Sequence, residues 1–271
     1  VNSVSIVGVG LIGGSFALAL RKAGFTGRII GVSSPAAIDT ALARGVIDEA
    51  LPLAQAAAVS DFIYLAQPIE RILQTIDVID QHAHPGALIT DAGSTKVAIV
   101  NRAASSIHRA RFVGGHPMAG KELSGVEQAD ADLFRGRPYV LTSGLINEDA
   151  NLESWIERIG ARLVIMSAEE HDRLVALTSH LPQLLSTALA SVIGAQPDAA
   201  KVAGPAAVDL TRLALSPYDI WRDIFATNAD SVDAALSAFV AKLGELRAVL
   251  RSPEMERAFE NAAAAAKALR R

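Results

Sequence analysis

The 271-residue chain contains no cysteine, which excludes disulfides, thiolate nucleophiles and cysteine-based zinc sites. That composition fits a cytoplasmic setting. A basic excess is missing too. Against 29 Asp and Glu stand 25 Lys and Arg, a net charge of −4, so a nucleic-acid partner is not expected. Charge is absent altogether from residues 1–20 and 174–197. Glycines at 8, 10, 13 and 14 break the first stretch, and no basic residue or small-residue cleavage pattern flanks it, so a leader or membrane span is not expected. His180, Pro182, Gln183 and three serines interrupt the second, which suits a helix buried in protein rather than lipid. No internal repeat punctuates the chain. What remains is a hydrophobic fraction of 51% against 20% charged residues, enough for a core and incompatible with global disorder.

Short β-branched runs at 4–7, 28–32, 61–65, 87–90, 111–113, 139–141 and 163–165 alternate with amphipathic stretches. That alternation predicts an α/β fold, a parallel sheet covered by helices. Beyond Met166 the strand pattern stops and helical periodicity takes over, with turns at 194–197, 204–205 and 216–217. Val232, Leu236, Phe239, Val240, Leu243, Leu246 and Leu250 share one helical face. Ser252-Pro253-Glu254 starts a last helix. Two domains follow, residues 1–166 and 167–271.

Gly8-Val9-Gly10-Leu11-Ile12-Gly13 directly follows the first strand and opens an apolar helix, the context in which GxGxxG binds a dinucleotide. Gly8 permits the tight turn, Gly10 lets a pyrophosphate approach, and Gly13 packs helix on strand, while Leu11 and Ile12 begin the helix whose N–H groups attract phosphate. The acid that bonds the NAD ribose normally sits about 20 residues further on. Ser33 stands there instead, followed by Ser34, so the cofactor reading is NAD or NADP with a lean to NADP.

Ligands of such sheets lie beyond the carboxyl ends of the strands. Three segments fall there: Gln67-Pro68, Asp91 to Lys96 with the donor Ser94, and Gly114-Gly115-His116-Pro117. The flanking glycines and proline predict a rigid, exposed turn that presents His116, titrating near neutrality, as a proton acceptor. His82 and His84 lie beside Pro85-Gly86 with no third ligand, so no metal site is expected.

These residues resemble the prephenate and arogenate dehydrogenase family of tyrosine biosynthesis. The marks are Gly8 to Ser15, Asp91-Ala92-Gly93-Ser94-Thr95-Lys96, Gly115-His116-Pro117-Met118-Ala119-Gly120, Glu122-Leu123-Ser124-Gly125, Ser179-His180-Leu181-Pro182, and Asp209-Leu210-Thr211-Arg212 with Trp221-Arg222-Asp223. The resemblance implies a Rossmann-type domain followed by an all-α domain that pairs with its copy in a homodimer. It implies oxidative decarboxylation of prephenate, with hydride passing to NAD or NADP. His116 then assists loss of the ring hydroxyl proton, with Ser94 as its partner. Arg212 anchors a substrate carboxylate, a task suited to a permanently charged bidentate donor; a salt bridge to Asp209 is the bland alternative. His180 is implied as a second substrate contact, or else a core histidine, and Glu122 as a group lining the entrance, or else a surface acid. Gln183 sits where side-chain selectivity is set, and Gln67, Pro68 and Asp91 are assigned to the cofactor side.

Two substrates stay open, since a keto side chain wants donors and an ammonium wants an acceptor. A β-hydroxyacid dehydrogenase would need a catalytic lysine in the helical domain, and the surroundings of Lys201 do not match. A dinucleotide-binding sensor without turnover is the reading from another class.

Overall fold

The computed structural model describes residues 1–142 and 150–270. The first half alternates as expected: β1 (Ser3–Val7), α1 (Leu11–Lys22), β2 (Arg28–Val32), α2 (Pro35–Ala43), β3 (Glu49–Ala50), α3 (Leu53–Val59), β4 (Phe62–Leu65), α4 (Ile69–Ile79), β5 (Leu88–Asp91), α5 (Val97–Ser106) and β6 (Arg111–Val113). The six strands form one parallel sheet in the order β3-β2-β1-β4-β5-β6. The chain reverses direction across the sheet between β1 and β4, and a crevice opens there at the carboxyl ends. Apolar residues fill both faces. Val4, Ile6, Phe16 and Tyr64 pack on one side, and Ile63, Ile72, Ile76, Ile89 and Ile99 on the other. Each fully buried side chain of this size contributes about 1.5–3 kcal/mol.

A second sheet was not foreseen as such. Strands β7 (Gly115–Pro117), β8 (Pro138–Thr142) and β9 (Arg162–Met166) pair in that order, antiparallel then parallel, with α6 (Ala150–Arg158) between the last two. The exposed turn expected around His116 is therefore a strand, and His116 pairs with Val140. Its glycines are demanded by contact: a Cβ on Gly115 would lie 2.6 Å from the Asp91 carbonyl, and one on Gly114 would lie 2.7 Å from Thr142 Oγ1. The two-residue strand β3 was also missed, being too short to show a period.

After β9, Ser167 caps α7 (Ala168–Val175) by accepting from the Glu170 N–H at 3.0 Å. A π-helical turn, Ala176–His180, leads into α8 (Leu181–Gly194), then α9 (Pro205–Thr211), α10 (Tyr218–Ala248) and α11 (Glu254–Ala268). The segments read as turns at 204–205 and 216–217 lead directly into helices, with Pro205 in the first turn of α9 and Pro217 just before α10, and α10 kinks at Asn228. Two side chains of this helical half reach across to cap helices of the first. Asp172 accepts the backbone N–H of Lys96 (2.7 Å) and Val97 (2.9 Å) at the start of α5. Asp223 accepts that of Glu70 at 3.2 Å, at the start of α4. Neither helix has a cap of its own, so each borrows one. The helical half's own core is small, around Ala176, Leu181, Val232 and Ala235. Leu215 (86% exposed), Val192 (68%) and Phe259 (71%) leave much of its apolar surface uncovered. Among the described residues no helix is long and apolar enough to cross a membrane.

Candidate active site

The turn from β1 into α1 shows why three glycines are spaced as they are. Gly8 has φ +97°, and a Cβ there would lie 2.6 Å from the Ala66 carbonyl at the end of β4. A Cβ on Gly13 would collide with the Gly8 carbonyl and lie 2.8 Å from the Ile6 side chain, so only glycine lets α1 pack this closely on β1. A Cβ on Gly10 would meet nothing within 4 Å, because Gly10 faces open space. That space is a cleft of about 730 Å³ lined by Gly8, Gly10, Ser33, Ser34, Gln67, Pro68 and, across from them, Glu127. A free approach at Gly10 and the unpaired N–H groups starting α1 are what a pyrophosphate requires. Leu11 and Ile12 contribute those backbone groups while their side chains pack on the core. Asp91 is a correction. It is fully buried, and its carboxylate accepts from Gly115 N (3.0 Å), Gly93 N (2.8 Å) and Lys96 Nζ, which leaves nothing for a cofactor.

Asp91 instead forms a clamp. The buried Lys96 pairs with it and donates to the Gly115 carbonyl at 2.7 Å, so both backbone groups of Gly115 are held next to His116. Breaking such a buried pair typically costs about 3–5 kcal/mol. His116 is half-buried, and its Nδ1 lies 2.8 Å from His171 Nε2. His171 Nδ1 lies 2.7 Å from Asp172 Oδ1. Loss of solvation, then the neighbouring His171, Lys96 and His180, push His116 well below the usual imidazole range. The expected titration near neutrality is thereby corrected: His116 is neutral there and keeps its lone pair. Ser94 sits partly exposed in the turn between β5 and α5, its hydroxyl bonded to none of the described residues. The adjacent Thr95 bonds Thr227 of α10 at 2.7 Å, tying that turn to the helical half.

Arg212 does not pair with Asp209. Its guanidinium donates to Glu122 at 2.8 Å, which brings two candidates from opposite halves together at the surface. His180 lies inside, 1% exposed, its ring edge-on to Trp221 and its Nδ1 3.4 Å from Asn228 Nδ2. It is packed among core side chains, and burial lowers it to about 4. Trp221 donates to Ser216 at 2.9 Å, which ties α10 to the turn before it. Gln183 is buried and donates to the Leu213 carbonyl at 2.9 Å, while its Oε1 is buried with no hydrogen-bond partner. No metal-binding cluster is found among the described residues. Sequence reading missed His171, Asp172 and Asn228, and it weighed Glu127 only for the substrate side chain, whereas Glu127 lines the cofactor cleft. The capping pattern Ser167-Ala168-Glu169-Glu170 marked the helix carrying His171 and Asp172, but nothing local ties that helix to His116.

Residues 16–165 match the family model for the nucleotide-binding domain of prephenate dehydrogenase, and residues 167–263 match that for its dimerization domain. A prephenate dehydrogenase of Lactococcus lactis is 34% identical over 255 residues, covering 90% of this chain and 70% of the relative. The crystal structure of prephenate dehydrogenase from A. aeolicus, in complex with hydroxyphenyl propionate and NAD⁺, superposes with a TM-score of 0.92 at 32% identity. The match covers 99% of this chain and 98% of that one. Synechocystis arogenate dehydrogenase superposes at 0.86 with 29% identity, over 98% of this chain and 99% of that one.

Proposed function

The chain belongs to the prephenate dehydrogenase family, and from that premise we propose that it turns prephenate into 4-hydroxyphenylpyruvate by oxidative decarboxylation. The observation that carries this reading is a neutral His116 held half-buried at the sheet edge, with Glu122 and Arg212 meeting in the segment that follows it. The nicotinamide, when bound, supplies the hydride acceptor. His116 accepts the ring hydroxyl proton as the carbonyl develops, and Ser94 offers its free hydroxyl to the same oxygen. Arg212 anchors a carboxylate of the dianionic substrate. Its bond to Glu122 is exposed on both sides and worth about 0–1 kcal/mol, so a substrate carboxylate can take Glu122's place. Loss of CO₂ then makes the ring aromatic and the step irreversible.

Residues 1–166 form the half that holds the dinucleotide, through Gly8, Gly10, Gly13 and the start of α1, with Ser33, Ser34, Gln67 and Pro68 lining the rest. Ser33 in place of an acid leans towards NADP. Glu127 leans the other way: it is the one charge among the described residues lining the cleft, and it repels a 2′-phosphate. On that balance NAD is the better cofactor. Residues 167–271 form the substrate and dimerisation half, and the uncovered apolar surface of that half fits a homodimer.

One observation favours arogenate as a second reading. Gln183 Oε1 is a buried acceptor without a donor, which an ammonium satisfies and a keto group does not. Reduction of nicotinamide by the purified chain decides, with prephenate and arogenate offered separately, each with NAD⁺ and NADP⁺. Prephenate with NAD⁺ is expected to turn over fastest. Turnover of arogenate alone would move the substrate and keep the site. Failure with both would overturn the reading.

A further inference from the structure

Resting on His116 as the proton acceptor, we propose that His171 and Asp172 are positioning residues that set its tautomer, making Nε2 the accepting atom. Asp172 faces N–H donors with both oxygens: Oδ1 takes the Lys96 N–H at 2.7 Å and Oδ2 the Val97 N–H at 2.9 Å. A group that accepts at both oxygens, at the positive end of a helix, is a fixed anion. Oδ1 also lies 2.7 Å from His171 Nδ1, so that nitrogen carries the hydrogen. In a neutral ring the other nitrogen then holds a lone pair. It points at His116 Nδ1, 2.8 Å away. Two lone pairs do not face each other at that distance, so His116 carries its hydrogen on Nδ1 and its Nε2 is bare.

Packing keeps the assignment in place. His171 is 1% exposed and Asp172 2%, and Asn228 Nδ2 donates to the Asp172 carbonyl at 2.8 Å from the kink in α10. Neither ring of the pair can turn over without breaking a buried bond. The opposite polarity would require hydrogens on both ring nitrogens of His171, because its Nδ1 already faces the Asp172 carboxylate. When Nε2 takes the ring hydroxyl proton, no second transfer is required. The positive charge that appears on His116 strengthens its Nδ1–H bond to His171, with the Asp172 anion behind it. The logic is that of an acid orienting a catalytic imidazole, with a second imidazole between them.

The test is a two-bond ¹⁵N–¹H correlation spectrum of ¹⁵N-histidine-labelled protein, with and without NAD⁺, together with steady-state kinetics of two variants. The wild-type spectrum should show His116 and His171 both protonated on Nδ1. His171→Leu should lose about 10²-fold in kcat while the substrate KM stays within about twofold. In its spectrum His116 should populate both tautomers. His171→Asn, whose amide oxygen can accept the Nδ1 hydrogen, should recover about tenfold of the loss. A proton on His116 Nε2 in the wild type overturns the proposal, and so does an unchanged kcat in His171→Leu. If His171→Leu does not fold, the wild-type spectrum decides alone. Should the wild type turn over neither substrate, the proposed reaction falls while the spectrum still decides the tautomer.

Discussion

His116 and His180 show how one residue type is put to two uses by its surroundings. Both are pushed down by loss of solvation first, but His116 keeps part of its ring open while His180 is sealed against Trp221 and Asn228. For His180 the opposing pull of Asp172 is too weak, and the group falls from 6.5 to about 4. A folded value below the unfolded one means that the folded chain binds fewer protons between the two. The stability is present in full above the unfolded value and drains away as pH falls through the window from 6.5 to about 4. The shift corresponds to about 3 kcal/mol from His180, and His116 acts in the same direction. Urea midpoints should therefore drop between pH 7.5 and pH 5, and His180→Gln should flatten that drop. A midpoint unchanged over the range would count against the sealed, neutral His180. Local sequence could propose a role for each histidine, but the choice between ligand and core depended on partners 41 and 48 residues away, Trp221 and Asn228.

At the level of elements, α4 and α5 begin without caps of their own and take them from α10 and α7. This exchange fastens the helical half to the sheet. It also places His171, next to Asp172, beside His116. Asp223→Ala removes the α4 cap and should cost about 1–2 kcal/mol, read as a lower midpoint in urea unfolding. A change within a few tenths of a kcal/mol would mean that Asp223 does not hold the halves together. The glycine-spaced turn into α1 was legible because each of its needs lies within a few residues. Strand β7 was not. Gly114-Gly115-His116-Pro117 has the composition of a turn, and it is extended only because β8, some 20 residues on, pairs with it while Asp91 and Lys96 grip Gly115.

For the whole molecule, the helical half is apolar beyond what one chain can cover. The stripe on α10 buries Val232 and packs Leu236 and Phe239 inward, yet leaves Val240 and Leu243 at least half exposed. A second copy is the expected cover, and sedimentation equilibrium at micromolar concentration should give twice the mass of the chain. A monomer at that concentration would overturn the homodimer. A second copy would also account for the uncharged stretch 174–197, since a face covered by a partner subunit has no use for charge. The sequence by itself determined whatever is written in short periods and fixed spacings, namely the parallel α/β half, the helical half and the dinucleotide turn; strand-end position pointed to His116 and Ser94, and family resemblance to Glu122 and Arg212. Only the tertiary structure decided that Asp91 is a buried clamp and that Arg212 rests on Glu122. It also decided that His171 and Asp172 stand behind His116. Side-chain pattern follows from local periodicity, whereas hydrogen-bond partnership depends on which distant segments packing brings together.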